Sequence, residues 1–217
     1  MAENKTTEHS TLEDIENAAP ASMHPILEAA FKYQKQIAIG VIAIVVATGL
    51  YAGINSYSTH ARTTAQAELG TILLEKKGQD KIAALEALLG SAPSSVKSAV
   101  LLELAQSTMN SGDYDKAVDF WNQLSGETDA ELRIVARMGK AKCQILAGKF
   151  AEAVTELKDL AGVAPEGFTV PVYRELAVAA EAAGNVNEAL SAYRKLAEQK
   201  IADKPFVEFK IAQLESK

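Results

Sequence analysis

Histidine and cysteine side chains carry much of the nucleophilic and metal-binding chemistry of proteins, and this chain has few of them. The three histidines are His9, His24 and His60, and none occurs in residues 61–217. Cys143 is the one cysteine, which excludes an intramolecular disulfide and a thiolate metal cluster. Histidine bases, histidine ligands and Ser–His or Cys–His pairs are therefore absent from most of the chain. The sequence predicts a protein that is not an enzyme and that needs no metal or cofactor.

The remaining candidates for chemistry have simpler structural explanations. Asp113, Asp115 and Asp119 surround an expected helix start, but they lack the glycine and glutamate spacing of a calcium-binding loop. Acidic side chains favour a helix N-terminus, which accounts for their position. We expect Cys143 to be a small buried apolar residue.

Composition describes a foldable, slightly acidic chain. Of 217 residues, 48% are apolar and 23% are charged, and 28 acidic residues outnumber 22 basic ones, for a net charge of −6. Nucleic-acid-binding proteins usually present a basic surface, so the balance argues against a nucleic-acid partner.

The first structural element that the sequence predicts is a membrane helix. The 26 residues between Lys35 and Arg62 carry no formal charge, and the stretch 37–54 is IAIGVIAIVVATGLYAGI. Eighteen residues at about 1.5 Å each span roughly 27 Å, close to the thickness of a bilayer core. A signal peptide would begin nearer the N-terminus, and a buried helix this apolar would need a large domain around it. We therefore predict one transmembrane helix at residues 37–57.

Charges beside this segment predict its orientation. Lys32 and Lys35 precede it, whereas Arg62 follows it alone until Lys76. The positive-inside rule then places a short acidic tail, residues 1–36, in the cytoplasm and the rest across the inner membrane in the periplasm.

The rest of the chain carries a repeat marked by glycine. Glycines recur at spacings of 34, 36 and 36 residues, each followed five residues later by alanine. A glycine permits the left-handed conformation that ends a helix, and the alanine permits close packing in the next one. The residues that define this pattern are Gly78, Ala83, Gly112, Tyr114, Ala117, Gly148, Phe150, Ala153, Pro165, Gly184 and Ala189.

This period is typical of tetratricopeptide repeats. We predict an all-α fold, in which the membrane helix is followed by a tetratricopeptide-like α-solenoid of about four helical hairpins and a capping helix. The predicted domain is 62–217, with units at about 64–97, 98–133, 134–169 and 170–204 and a cap at 205–217. Phe206, Phe209, Ile211 and Leu214 are expected to cover the open end, and Trp121, Tyr114 and Phe150 to lie in the core.

The first helices of the units predict a partner-binding groove. Methionine and aliphatic side chains with few charges suit an adaptable binding surface, although a covering helix would make the same stripe part of the core. The expected groove residues are Leu102, Gln106, Met109, Val135, Met138, Lys142, Ile145, Arg174, Val178 and Glu181.

One anchor followed by degenerate tetratricopeptide units resembles the bacterial YfgM-like family. The closest sequence echoes are SAVLLELAQ at 98–106 and the turn at 112–117. The resemblance implies an ancillary subunit of the SecYEG translocon that partners a PpiD-type periplasmic chaperone and assists translocated polypeptides. A structural scaffold of another envelope assembly complex is the alternative. Such scaffolds are often lipoproteins, and Cys143 lies too far along the chain for lipid attachment.

Overall fold

The computed structural model describes the backbone of residues 34–216, and the side chains of residue 39 and residues 43–216. The chain divides into two units, residues 1–59 and 60–217. The described part is all-α, with nine α-helices and one short 3-10 helix, Glu166–Phe168. The α-helices are α1 Gln34–Glu75, α2 Gly78–Ser91, α3 Ser94–Asn110, α4 Tyr114–Gly126, α5 Ala130–Leu146, α6 Phe150–Ala161, α7 Thr169–Ala182, α8 Val186–Ala197 and α9 Lys204–Glu215.

Three of the predicted glycines form the same turn between two helices. Gly112, Gly148 and Gly184 have φ values of 85°, 75° and 72°, a left-handed conformation that a side chain would strain. In each turn the next residue donates its backbone N–H to a carbonyl in the last turn of the preceding helix, at 2.8 to 3.1 Å. This bond satisfies a carbonyl that the end of the helix leaves free. These turns form three helical hairpins, α3–α4, α5–α6 and α7–α8.

The alanines five residues after these glycines allow the two helices of each hairpin to pack closely. Ala117, Ala153 and Ala189 are completely buried, each in the second helix of its hairpin. The distance between two packed helices depends on the side chains at their contact, so a larger side chain there would push the helices apart. The sequence prediction is confirmed at these three positions.

The turn at Gly78, between α1 and α2, departs from the pattern, and the prediction for Ala83 is wrong. Ala83 is exposed, whereas Ile82 is 2% exposed and belongs to the core. Helix α2 begins at Gly78 itself, while the other second helices begin two residues after their glycine. In α2 the buried position is the fourth residue after the glycine, Ile82, and not the fifth.

Consecutive helices pack against one another from α2 to α9, and each buries a stripe of aliphatic side chains. Leu85, Leu104, Leu124, Leu157 and Leu196 are among the fully buried ones. The hairpins begin at Ser94 and Ala130, after Pro93 and the N-cap Asp129, so the predicted boundaries at 98 and 134 lie four residues inside helices.

The last helix buries a different face from the predicted one. Val207 and Leu214 are buried, Ile211 is half-buried, and Phe206 and Phe209 are exposed. The expectation that both phenylalanines cover the end of the solenoid is wrong. Val207 and Leu214 supply the buried apolar face of α9, and on its flank Lys210 Nζ lies 2.9 Å from Glu181 Oε1 of α7.

No membrane-spanning helix was found within the described part of the chain. The predicted span 37–57 includes side chains outside that part, and most of the predicted tail 1–36 also lies outside it. Both remain predictions.

Candidate functional site

A groove of about 600 Å³ opens on the face formed by the first helices of the three glycine-marked hairpins. Helices α3, α5 and α7 each contribute residues, and the 3-10 helix contributes Phe168. The lining is Gln106, Met109, Asn110, Trp121, Val135, Met138, Gly139, Lys142, Phe168, Pro171 and Glu175. Pockets of this size, mostly apolar with a few polar groups, are typical of binding sites.

The wall of the groove depends on a close fit between Trp121 and Gly139. Trp121 lies on α4, is 4% exposed, and presses its ring against the backbone of α5 at Gly139. A Cβ atom at Gly139 would lie 2.5 Å from the indole Cε2, closer than two carbon atoms can approach. The absence of a side chain at this position therefore allows the ring to reach the groove.

Cys143 lies one helical turn beyond Gly139 and is buried. Burial raises the pKa of the thiol to about 11, against a smaller opposing effect of the neighbouring Trp121 side chain. The thiol is therefore protonated at neutral pH and behaves as the small apolar residue that the sequence predicts.

Two methionines give the groove its adaptable surface. Met109 packs partly against the core that α1 to α5 form together, and Met138 packs partly against Ile134 and Val172. Val135 adds a side chain that is 40% exposed. These side chains expose apolar area to solvent, and the two methionines also pack against the core. Such surfaces are usual where proteins bind varied partners.

The charged groups near the groove are paired with one another. Lys142 Nζ lies 3.2 Å from both carboxylate oxygens of Glu175 and connects α5 to α7. Arg174 forms a two-point contact with Asp203, at 2.6 and 3.0 Å. The hydrogen bonds from Arg174 hold the pKa of Asp203 below its usual value. The groove therefore presents an apolar surface with little unbalanced charge.

A third charge cluster lies on the opposite side of α5 and fixes that helix to α6. Glu156 accepts hydrogen bonds from Arg137 and from Lys140, the latter at 2.8 Å. Burial tends to raise the pKa of Glu156, but the two bound cations lower it overall. This carboxylate stays ionised and positions the helix that carries Val135 and Met138.

The ten predicted groove residues have different places in the structure. Five of them line the groove: Gln106, Met109, Val135, Met138 and Lys142. Leu102 and Ile145 are half-buried against the core, and Arg174 pairs with Asp203. Val178 is 43% exposed outside the lining. Glu181 accepts hydrogen bonds from Tyr193 at 2.5 Å and Lys210 at 2.9 Å.

Sequence reasoning missed several lining residues. Phe168 and Pro171 follow a loop whose path the repeat pattern does not specify, and Trp121 was expected only in the core. Trp121 is indeed buried, and Tyr114 and Phe150 are half-buried. Gly139 could have indicated the wall of the groove from the sequence, because it is a glycine within a helix and lies close to the predicted apolar stripe.

Of the acidic residues near α4, Asp113 caps the helix and Asp115 pairs with Lys149 Nζ at 2.8 Å. Asp113 is the N-cap of α4, and its Oδ1 accepts a hydrogen bond from the Lys116 backbone N–H at 3.2 Å. Asp129 and Asn185 cap α5 and α8 in the same way. Within the described residues no group of three metal-binding side chains is arranged to hold an ion.

Two solved structures illustrate the similarity of the fold. MamA 41-end from Desulfovibrio magneticus RS-1 is 12% identical, with a TM-score of 0.53 over 72% of this chain and 94% of that one. A Podospora anserina putative kinesin light chain with nearly identical tetratricopeptide-like repeats is 18% identical, with a TM-score of 0.52 over 75% of this chain and 85% of that one. These likenesses show the fold alone.

Sequence comparison with curated proteins found no match. A family model described as a tetratricopeptide repeat-like domain matches residues 31–216, nearly the whole chain. The match agrees with the glycine-marked hairpins and the groove on their first helices. The chain belongs to the tetratricopeptide repeat-like domain family.

Proposed function

We propose that the chain is an inner-membrane-anchored ancillary translocon subunit with a chaperone-like role toward translocated polypeptides. Tetratricopeptide-like domains are protein–protein interaction modules, and this one has a groove suited to that role. The observation that carries the proposal is the apolar groove around Met109, Trp121, Val135 and Met138. Newly translocated chains expose apolar segments before they fold, and a groove with methionine and paired charges accepts varied apolar sequences.

Membrane anchoring is supported by the apolar stretch and its exposure. Ile44, Leu50 and Ile54 of α1 are each more than 60% exposed. An apolar surface of this kind needs a partner other than water, and the acyl chains of a bilayer would supply one. The resemblance to the YfgM-like family supports SecYEG and a PpiD-type chaperone as partners.

Photo-crosslinking in cells tests this role. A photoreactive amino acid replaces Val135 in the groove, and a matched variant carries it at Val163, which is 69% exposed and outside the groove lining. We expect Val135 to capture polypeptides in transit, a periplasmic chaperone or translocon subunits, identified by mass spectrometry, and Val163 to capture few of them.

Two results would contradict the proposal. Capture at Val135 of a fixed set of envelope-assembly components, with no translocated chains, would favour a scaffold. Equal capture at Val135 and Val163 would show that the groove is not the binding surface.

A further inference from the structure

The last helix, α9, repeats the positions of the first helices that form the groove. Ala136 of α5, Val172 of α7 and Val207 of α9 are separated by 36 and 35 residues, and all three are completely buried. Two helical turns further along, Cys143, Ala179 and Leu214 follow the same intervals and are also buried. Helix α9 therefore occupies the place of a first helix and presents the same face as α5 and α7.

This register identifies the position of the two exposed phenylalanines. Phe206 follows Val135, and Phe209 follows Met138, by the sum of the 36-residue and 35-residue intervals. Each phenylalanine therefore corresponds to that residue of α5. Val135 and Met138 both line the groove. Phe206 is 52% and Phe209 is 61% exposed, so two large aromatic side chains extend the groove-forming face beyond the groove itself.

We propose that Phe206 and Phe209 form a second binding site, and that one uncharged apolar polypeptide segment occupies both this site and the groove in an extended conformation. The proposal rests on the proposed function, since it names the form in which a client segment binds. Adjacent exposed aromatic residues are unusual on a free surface and common where a partner docks.

The charges between the two sites favour an uncharged segment. Lys142 pairs with Glu175, Arg174 with Asp203, and Lys210 with Glu181. A charged ligand would have to displace one of these partners or remain unpaired on an apolar surface, and both are costly.

The polar groups of the groove favour an extended segment. Gln106 and Asn110 lie one helical turn apart on α3, both exposed, and their carboxamides have no hydrogen-bond partner within the described residues. Each carboxamide donates and accepts, and so matches the N–H and C=O groups of an extended backbone. A helical ligand has already satisfied those groups internally.

The spacing of the helices sets the length of the segment. Ion pairs join α5 to α7 (Lys142–Glu175) and α7 to α9 (Lys210–Glu181), so the three helices are neighbours. Neighbouring helices lie about 8–10 Å apart, so the two steps from α5 to α9 cover roughly 20 Å. An extended chain advances about 3.3 Å per residue, so about six residues connect the two sites. A segment that also fills both sites needs about ten residues.

Peptide binding to the full-length chain in an amphipathic polymer tests this proposal. The probe is a capped ten-residue peptide with two leucine-valine-leucine triplets joined by a glycine-serine-glycine-serine spacer. Two matched peptides replace the second triplet by serines or shorten the spacer to one residue. Trp121 is the one tryptophan of the chain and lines the groove, so its emission reports occupancy.

We expect the two-triplet peptide to bind at least tenfold more tightly than either matched peptide. The double variant Phe206→Ser and Phe209→Ser should remove this gain and leave binding of the one-triplet peptide unchanged. Both side chains are exposed, so the variant should stay folded, as circular dichroism will show. Val163→Ser, at an exposed valine outside this face, should keep the gain.

The outcomes separate this inference from the proposed function. If the double variant still bound the two-triplet peptide tenfold more tightly than the one-triplet peptide, the second site would be overturned, while the groove would remain a binding surface. A gain that persists with the one-residue spacer would overturn the extended conformation. No change in Trp121 emission with any peptide would overturn both the second site and the proposed role of the groove.

Discussion

At the scale of single residues, the groove depends on a missing side chain. A glycine inside a helix normally costs stability, because it gains no packing and loses more conformational freedom than alanine does. Gly139 keeps its place because the ring of Trp121 occupies the volume that a Cβ would need. Sequence alone shows the glycine but not the ring, since Trp121 comes from the preceding hairpin.

Gly139→Ala should therefore destabilise the domain and displace Trp121. The new methyl group meets a rigid ring, so either the ring or the helices must shift. We expect the free energy of unfolding to fall by about 1–3 kcal/mol, as for other overpacked sites. Tryptophan emission should move to longer wavelength as the ring becomes more exposed. Thermal unfolding and fluorescence measure both effects.

Gly70→Ala is the matched control. Gly70 also lies inside a helix, but nothing lies within 4 Å of a Cβ placed there. Alanine should raise the free energy of unfolding by up to about 1 kcal/mol and leave the emission unchanged. Equal stabilisation by both substitutions would show that Trp121 does not require the glycine.

At the scale of helices, the repeat pattern predicted the hairpins well at Gly112, Gly148 and Gly184. It failed at both ends of the solenoid for related reasons. In α2 the buried residue is Ile82, so counting five residues from Gly78 gave the wrong buried face. Before α9 no glycine lies between Ala197 and Lys204, so only apolar residues suggested its orientation. Val207 and Leu214, which follow the buried Val172 and Ala179 by 35 residues, form its buried face instead.

The difference between Ala153 and Ala83 gives a prediction at this scale. Ala153→Leu inserts three carbon atoms between α6 and its neighbours at a completely buried site. We expect a loss of about 1–3 kcal/mol in the free energy of unfolding, measured by urea denaturation.

Ala83→Leu makes the same change on an exposed helical face. It should alter stability by less than about 0.5 kcal/mol, as surface substitutions usually do. If the two variants lost equal stability, the assignment of the buried face in α2 or α6 would be incorrect.

At the scale of the whole molecule, the sequence identified the face that carries the groove more reliably than the residues that line it. Five of the ten expected residues line the groove. Arg174 and Glu181 do not, because their charges meet Asp203 and Lys210, which lie 29 residues further along the chain. A repeat pattern specifies which way a side chain points, whereas its partner depends on residues that the pattern leaves free.

The orientation of the chain in the membrane is the prediction with the widest consequence. Lys32 and Lys35 outweigh Arg62, which predicts a cytoplasmic N-terminus and a periplasmic repeat domain. Single cysteines introduced at Ser10 and at Ser191, an exposed residue of α8, can be labelled with a membrane-impermeant maleimide in spheroplasts. The native Cys143 should add little background, because it is buried and its thiol pKa is about 11.

We expect Ser191→Cys to be labelled in intact spheroplasts and Ser10→Cys only after lysis. Labelling of Ser191→Cys after lysis but not before, with Ser10→Cys accessible throughout, would place the repeat domain in the cytoplasm. A groove on that side could not meet chains that have already crossed the membrane. The inverted pattern would therefore exclude the translocon role, even if peptide binding to the groove were demonstrated with the purified chain.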